Sequence, residues 1–203
     1  MVKLTAKDLL NFEEDIASEF NNSNIKAPVH LYNGNEQEMI DVFSTINNDD
    51  WVLCTWRSHY QCLLKGVPKE IVKEKIMSGG SMALCFPDYN IFSSAIVTGI
   101  LPIAVGLGLS LKRRQEDHRK VHCFVGDMTA LTGSFNECLR YCEQHDLPVR
   151  FIIEDNGRSV CTTTSEVWNY NKHPYLDVDN KHIVYYKYES KWPHAGAGKR
   201  VQF

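Results

Sequence analysis

Apolar residues recur at helical intervals in two stretches near the start of the chain, and both stretches predict helices. In residues 4–20 the apolar positions are Leu4, Leu9, Leu10, Phe12, Ile16 and Phe20. In residues 36–46 they are Met39, Ile40, Phe43 and Ile46. A polar loop at residues 21–24 separates the two stretches. We therefore expect residues 1–50 to form a helical lead-in.

Short apolar runs and helical patterns alternate through the rest of the chain. Buried strands are predicted at residues 121–127, 147–156 and 180–189, with a helix at residues 133–146 between the first two. A strand, a helix and a second strand in this order imply a right-handed crossover and a parallel sheet. The pattern predicts an α/β fold over residues 51–190, an open parallel sheet with helices on both faces.

A further helix is predicted within residues 93–114, a run of apolar and small residues with Pro102 in its first turn. Gly106 and Gly108 in this run should let a neighbouring element approach closely, because glycine has no side chain. Residues 191–203 form a glycine-containing tail that we expect to be an ordered loop.

Composition narrows the class of protein. The 203 residues carry a formal net charge of −3, which gives no electrostatic reason to expect nucleic acid or a membrane surface as a partner. No stretch approaches the ~20 apolar residues of a membrane span. The seven cysteines include no CxxC pair, so we expect reduced thiols. These features indicate a cytoplasmic protein.

Polar residues follow two of the predicted strands. The first strand ends on Gly126 and Asp127, and the second ends on Asp155 and Asn156. Ligands of open α/β sheets bind beyond the carboxyl ends of the strands, so these side chains should share one edge. A carboxylate and an amide oxygen suit Mg²⁺, which then takes phosphate oxygens and water. A turn that uses Gly and Asp for their backbone conformation explains the same residues about as well.

Several segments, in order, resemble the alpha subunit of thiamine-diphosphate-dependent 2-oxo acid dehydrogenases, the pyruvate and branched-chain type. They are TWRSHYQCLLKG, SGGSM, AIVTGILPIAVGLGLSL, GDMTALTGSFNECLRYCEQHDLPVRFIIEDN and RSVCTTT, within residues 51–168. The resemblance implies the thiamine diphosphate-binding fold in a shortened form, with thiamine diphosphate and Mg²⁺ as cofactors.

The resemblance also implies roles for single residues. The family's Gly-Asp-Gly and Asn-Asn motifs hold Mg²⁺ and the diphosphate, and they are similar to Gly126-Asp127-Met128 and Asp155-Asn156. The implied metal ligands are Asp127, Asn156 and the backbone carbonyl of Arg158. The implied cofactor contacts are Trp56, Arg57, Ala95, Val97, Gly126, Asp127, Met128, Thr129 and Asn156. The implied catalytic residues are His59 and His194. On their own, Arg57 would be a surface ion-pair residue, His59 a structural histidine and His194 part of a surface loop.

The sequence departs from the family pattern in three ways. Met128 replaces the second glycine of Gly-Asp-Gly, so the backbone there must avoid a positive φ. Ala83 stands where the family often places a histidine after Ser-Met. The chain is also shorter than the family's subunit, with a brief connection between residues 168 and 183.

The resemblance implies the alpha-type subunit of a two-chain enzyme that decarboxylates a 2-oxo acid and transfers the acyl or aldehyde unit. A beta-type subunit with the pyrimidine-binding domain would be the partner, and a small 2-oxo acid the substrate. Ala83 and the short length keep a split transketolase-like or acyloin-forming carboligase as an alternative. A noncatalytic α/β interaction module is the third alternative, and the joint presence of Arg57, His59, Asp127 and Asn156 argues against it.

Overall fold

A six-stranded, mostly parallel sheet forms the centre of the protein. The structure, a computed structural model, describes residues 4–199. The strand order is β2-β3-β1-β4-β5-β8, and β2 alone runs antiparallel to its neighbour. The strands of this sheet are β1 (Trp51–Cys54), β2 (Cys85–Phe86), β3 (Ile91–Ser93), β4 (Val121–Gly126), β5 (Val149–Asp155) and β8 (Ile183–Lys187). Two short strands, β6 (Arg158–Ser159) and β7 (Thr162–Thr163), pair separately.

Eight helices connect and cover these strands. They are α1 (Ala6–Asn21), α2 (Glu36–Phe43), α3 (His59–Leu64), α4 (Lys69–Lys75), α5 (Ile100–Arg113), α6 (Asp127–Ala130), α7 (Gly133–Gln144) and α8 (Thr164–Trp168), within residues 4–199. A π-helical turn at Ile76–Gly80 follows α4, and a 3₁₀ turn spans Pro87–Tyr89. The predicted lead-in helices and the three long predicted strands are confirmed.

Successive residues of β4 and β5 point to opposite faces of the sheet, as the period of a strand requires. Phe124 and Ile152 lie in an apolar core with residues of α1 and α2, among them Ile16. Cys123 and Phe151 lie in a second core with residues of α5 and α7. Both faces are therefore covered by helices, which confirms the predicted α/β fold class.

The first helix is fixed at its start by a capping box. The Thr5 hydroxyl accepts a hydrogen bond from the Asp8 backbone N–H, and the Asp8 carboxylate accepts one from the Thr5 N–H at 2.8 Å. These bonds satisfy backbone donors that have no partner within the helix. The apolar face of α1 then packs on the sheet, so the lead-in supplies one helical layer of the fold.

Helix α5 lies very close to the sheet at one of its two central glycines. A Cβ atom at Gly108 would stand 2.4 Å from Val149 Cγ2, whereas one at Gly106 would meet nothing within 4 Å. The predicted close approach is confirmed at Gly108 and wrong at Gly106, because Gly106 lies on the exposed side of the helix.

Residues 4–199 contain no helix that is both long and apolar enough to cross a membrane. All seven cysteines are free thiols, and Cys161 and Cys85 are the exposed ones.

Candidate functional site

A cavity of about 480 Å³ opens where four parallel strands end. Its walls come from the segments after β1, β4, β5 and β8, the edge at which open α/β sheets bind ligands. The lining includes Thr55, Trp56, Arg57, Gly126, Asp127, Met128, Thr129, Glu154, Asn156, Arg158, Ser159, Val160, Cys161, Tyr188 and His194, together with Tyr32 from the lead-in.

Asp127 is the buried carboxylate at the first turn after β4. It is 1% exposed, and its Oδ2 atom has no hydrogen-bond partner within residues 4–199. Burial, with a smaller contribution from the nearby Asp155, raises the pKa of this carboxyl to about 6, against the opposing effect of the Thr164 hydroxyl. The buried Thr164 hydroxyl lies near this carboxyl but makes no hydrogen bond of ordinary geometry among the described residues. Unpaired hard oxygens in a buried position fit the ligand preference of a divalent cation.

Asn156 follows β5 and is held by its neighbours. Its Oδ1 atom accepts a hydrogen bond from the Arg158 N–H at 3.1 Å, and its Nδ2 atom donates to the Tyr188 hydroxyl at 3.4 Å. The adjacent Asp155 accepts hydrogen bonds from the Gly157 N–H at 2.7 Å and from the Tyr185 hydroxyl. These contacts fix the turn that brings Asn156 and Arg158 to the same cavity as Asp127.

Arg57 provides a positive charge in the part of the cavity wall that follows β1. Its Nε atom donates to the Leu31 carbonyl at 3.0 Å, and Nη2 donates to the His194 carbonyl at 3.4 Å. The guanidinium carbon lies 5.7 Å from the centre of the Tyr32 ring, within cation–π range. Two backbone carbonyls and one ring therefore hold the guanidinium beside the cavity.

An aromatic cluster of His30, Trp56 and His194 lies next to Arg57. The His30 and His194 rings are 4.7 Å apart, and each lies about 6 Å from the Trp56 ring. His30 Nδ1 donates to the His194 carbonyl at 2.7 Å. Burial lowers the pKa of His30 to about 4 in spite of this bond, so its imidazole is neutral at physiological pH. His30 was not predicted as a site residue.

Glu154 is a second buried carboxyl in the cavity wall. It is 6% exposed and accepts hydrogen bonds from the hydroxyls of Tyr32, at 2.9 Å, and Tyr186. Burial raises the pKa of Glu154 to about 7, against the opposing effect of these two hydroxyls. Glu154 lies within the apolar run of β5, directly before Asp155. No motif or spacing in the sequence predicted a functional role for it.

Met128 occupies the place of the family's second glycine and turns towards α8. Its sulfur accepts a hydrogen bond from the Trp168 indole N–H at 3.1 Å. Met128 does not have a positive φ, as predicted, because it lies within the helical turn of α6. The thioether therefore lines the cavity without backbone strain.

Three predicted site residues do not line this cavity: His59, Ala95 and Val97. His59 is fully buried between α1 and the loop after α4, where Nδ1 donates to Glu13 at 2.9 Å and Nε2 contacts the Ser81 hydroxyl at 2.8 Å. Ala95 and Val97 lie on the exposed segment that follows β3. Within residues 4–199 the side-chain hydrogen bonds of His59 go to Glu13 and Ser81 and not to the cavity lining, so its predicted catalytic role stays a prediction.

The described residues contain no group of three His, Cys, Asp or Glu side chains placed to hold a metal ion. The predicted ligand set differs from such a group, because it combines one carboxylate, one amide oxygen and one backbone carbonyl. Oxygen sets of this composition suit Mg²⁺ in the presence of phosphate.

The fold and this site define an α/β protein whose sheet edge presents oxygen ligands and an arginine to one cavity. The sequence matches the family model of the dehydrogenase E1 component over residues 5–177. The chain therefore belongs to the dehydrogenase E1 component family.

Relatives of this chain are alpha subunits. Subunit alpha of the pyruvate dehydrogenase E1 component of Porphyra purpurea is 31% identical over 162 residues, which are 72% of this chain and 47% of that protein. Subunit alpha of the acetoin:2,6-dichlorophenolindophenol oxidoreductase of Bacillus subtilis is 28% identical over 196 residues, 87% of this chain and 59% of that protein. The chain thus spans about half the length of the curated relatives it matches.

A solved structure of a putative thiamin diphosphate-dependent enzyme from Mycobacterium smegmatis aligns with 58% of this chain and 19% of that chain, at 21% identity and a TM-score of 0.41.

Proposed function

We propose that this chain is the alpha-type subunit of a two-chain thiamine diphosphate enzyme that decarboxylates a 2-oxo acid and transfers the acyl or aldehyde unit. The observation that carries the proposal is the Asp127 carboxylate, 1% exposed and unpaired at Oδ2, in one cavity with Asn156 and Arg158. An unpaired buried carboxylate is costly unless a cation joins it. The presence of such a carboxylate at the end of a strand supports a cation-binding role for Asp127.

In this proposal the side chains of Asp127 and Asn156, with the Arg158 carbonyl, hold Mg²⁺. Arg57 offers its charge to the diphosphate, since a guanidinium suits phosphate oxygens. The bound thiamine diphosphate supplies the carbanion that adds to the substrate carbonyl, and the protein supplies binding and orientation. Met128 and Thr129 line the same cavity and would lie beside the diphosphate.

The substrate would lie on the side of the cavity near His194 and His30. The neutral His30 ring donates from Nδ1 to the His194 carbonyl, so its Nε2 atom is an acceptor. His194, which lines the cavity, has its pKa lowered by burial and by the charge of Arg57. The charge of Arg57 suits the carboxylate of a 2-oxo acid, and the imidazole of His194 offers a group in the cavity wall that can take up or release a proton.

The partner in this proposal is a beta-type subunit with the pyrimidine-binding domain. Ala95 and Val97, the expected ring contacts, lie on an exposed segment outside the cavity lining, and Ile96 between them is 71% exposed. This exposure supports a site that a second chain completes. A cytoplasmic location is part of the same proposal.

An acyloin such as acetoin is the second candidate substrate. Relatives whose names specify acetoin oxidation match this chain at 28% and 30% identity, against 31% for a pyruvate dehydrogenase relative. Assays of the two-chain complex with pyruvate and with acetoin, using an artificial electron acceptor, would distinguish these donors.

The cofactor site is tested by Asp127→Asn in the complex with the beta-type subunit. Isothermal titration with thiamine diphosphate and Mg²⁺ should show an affinity about 10–100-fold lower, since the anionic metal ligand becomes a neutral amide. The cofactor-free variant should melt at a higher temperature than the wild type at pH 8, because an amide has no charge to bury. If Asp127 instead stabilised the fold through contacts of its own, the Asp127→Asn variant would melt at a lower temperature than the wild type.

Asp50→Asn is the matched control. Asp50 is also a fully buried carboxylate, but it pairs with His122 at the opposite edge of the sheet, at 3.1 Å. This variant should lose stability and keep its cofactor affinity. An unchanged cofactor affinity in Asp127→Asn, or an equal loss of cofactor affinity in both variants, would reject Asp127 as a ligand of the cation.

A further inference from the structure

Tyr32 lies in the irregular segment between α1 and α2, yet it is 1% exposed and contributes to the wall of the cavity. No sequence pattern marked it as a site residue. Its side chain stands where the lead-in meets the carboxyl ends of β1 and β5, the two strands that deliver Arg57 and Glu154. It is therefore placed between the lead-in and two charged groups of the site.

The Tyr32 hydroxyl contacts three groups at once. It lies 2.9 Å from Glu154 Oε2 and 3.0 Å from the Arg57 carbonyl, and it accepts a hydrogen bond from Gln61 Nε2 at 2.6 Å. Burial and the charge of Glu154 raise the pKa of this phenol well above its usual range. The single proton of this neutral hydroxyl can be donated to either the Glu154 carboxyl or the Arg57 carbonyl, and both oxygens lie within hydrogen-bond distance of it.

The rest of the residue is held equally firmly. Its ring stacks on Tyr60 with 4.9 Å between centroids, and its backbone N–H donates to Glu13 at 3.0 Å. The guanidinium of Arg57 lies over the same ring, and the carbonyl of the preceding residue, Leu31, accepts the Arg57 Nε–H. Leu31 and Tyr32 therefore contact both the guanidinium group and the backbone carbonyl of Arg57.

We propose that Tyr32 is a positioning residue that holds Arg57, and with it the guanidinium, at the cavity wall. This inference rests on the proposed function, in which Arg57 contacts the diphosphate. Tyr32 acts through Arg57, so its removal should lower the affinity for the cofactor and leave the ligands of the cation in place.

The test is Tyr32→Phe in the complex with the beta-type subunit. Phenylalanine keeps the ring beneath the guanidinium and removes the hydroxyl. Titration with thiamine diphosphate and Mg²⁺ should show an affinity about tenfold lower, as expected when a buried hydrogen bond that orients a ligand contact is lost. In an Arg57→Lys background the same change should have little further effect, because the group that Tyr32 positions is already gone.

Tyr186→Phe is the matched control, because Tyr186 also donates to Glu154 while the Arg57 backbone contact belongs to Tyr32. It should lower the melting temperature and leave the cofactor affinity unchanged. An unchanged affinity in Tyr32→Phe, additive effects with Arg57→Lys, or an equal loss in Tyr186→Phe would overturn the inference.

Gln61→Leu decides the case if Tyr32→Phe does not fold. Gln61 donates to the Tyr32 hydroxyl, and its own Oε1 atom is buried without a partner among the described residues, so leucine removes an unsatisfied group as well. It should weaken cofactor binding in the same direction, and unchanged binding would contradict the proposal. A wild-type complex that binds no cofactor would overturn the proposed function and this inference together.

Discussion

His30 shows how burial fixes the charge of one residue in the site. Its pKa is lowered to about 4, whereas an unfolded histidine titrates near 6.5. Neutral His30 therefore stabilises the fold above pH 6.5, and this contribution is lost as pH falls towards 4, because the unfolded chain binds the proton more readily. The loss should reach about 3 kcal/mol.

We predict that His30→Gln removes this part of the acid destabilisation. The amide can still donate to the His194 carbonyl but takes up no proton. Urea unfolding of both proteins between pH 7 and 4 measures the difference, which should grow as pH falls. His118→Gln is the control, because His118 is 70% exposed and its variant should follow the wild-type curve. Parallel curves for His30→Gln and the wild type would contradict the prediction.

Some site residues could be predicted from the sequence, and others could not. Asp127, Asn156 and Arg57 each follow a strand, so the fold itself brings them to one edge. His30 and Tyr32 lie in an irregular segment, and their partners are up to 164 positions away in the sequence. Periodicity carries no information about such contacts. His59 was predicted from its position after Arg57, and the structure places it at Glu13 and Ser81 instead of the cavity.

At the scale of elements, the packing of α5 against the sheet depends on a single glycine. Gly108→Ala would place a Cβ atom 2.4 Å from Val149 Cγ2, so the helix or β5 must shift. We expect a loss of about 1–3 kcal/mol in the free energy of unfolding. Gly106→Ala, two positions earlier and facing open space, should instead stabilise the protein by about 0.5–1 kcal/mol.

Urea denaturation of the two variants provides the measurement. A lower free energy of unfolding in Gly108→Ala and a higher one in Gly106→Ala would distinguish the effect of close packing from that of helix propensity. A loss of stability in both variants would contradict the structure at Gly106, and a gain in both would contradict the contact at Gly108.

The longer elements were predictable because their apolar residues repeat over enough positions to define a period. Strands β4, β5 and β8 and helices α1, α2 and α7 have this property. Strands β2, β6 and β7 have two residues each. Two residues cannot show an alternation, so these strands follow from pairing with their neighbours and not from a local pattern.

The whole molecule leaves apolar side chains exposed around the edge that carries the site. Ile96 and Val97 follow β3 and are 71% and 52% exposed. Val160 and Trp168, which follow β5, are 54% and 48% exposed. Exposed apolar groups around a polar cavity are typical of a surface that another protein covers.

We predict that the chain expressed without the proposed beta-type subunit associates with itself through this rim. The double variant Ile96→Ser/Val97→Ser should shift sedimentation velocity profiles towards the monomer, because it removes two adjacent exposed apolar side chains of the rim. Ile71→Ser is the control, since Ile71 is 45% exposed on α4, a helix that does not line the cavity. A wild-type chain that sediments as a monomer at all concentrations would contradict the prediction.

The contact between the lead-in and the tail sets the order in which the cavity can form. His30 meets the His194 carbonyl at 2.7 Å, and the Gly196 N–H donates to the Val29 carbonyl at 2.8 Å. Contacts so distant in sequence form late, because a long loop must close first. On the ribosome, at about 5–20 residues per second, residue 194 is added roughly 10–30 s after residue 30. During that interval the lead-in lacks both of these hydrogen bonds, so this wall of the cavity is completed only after residue 196 has been synthesised.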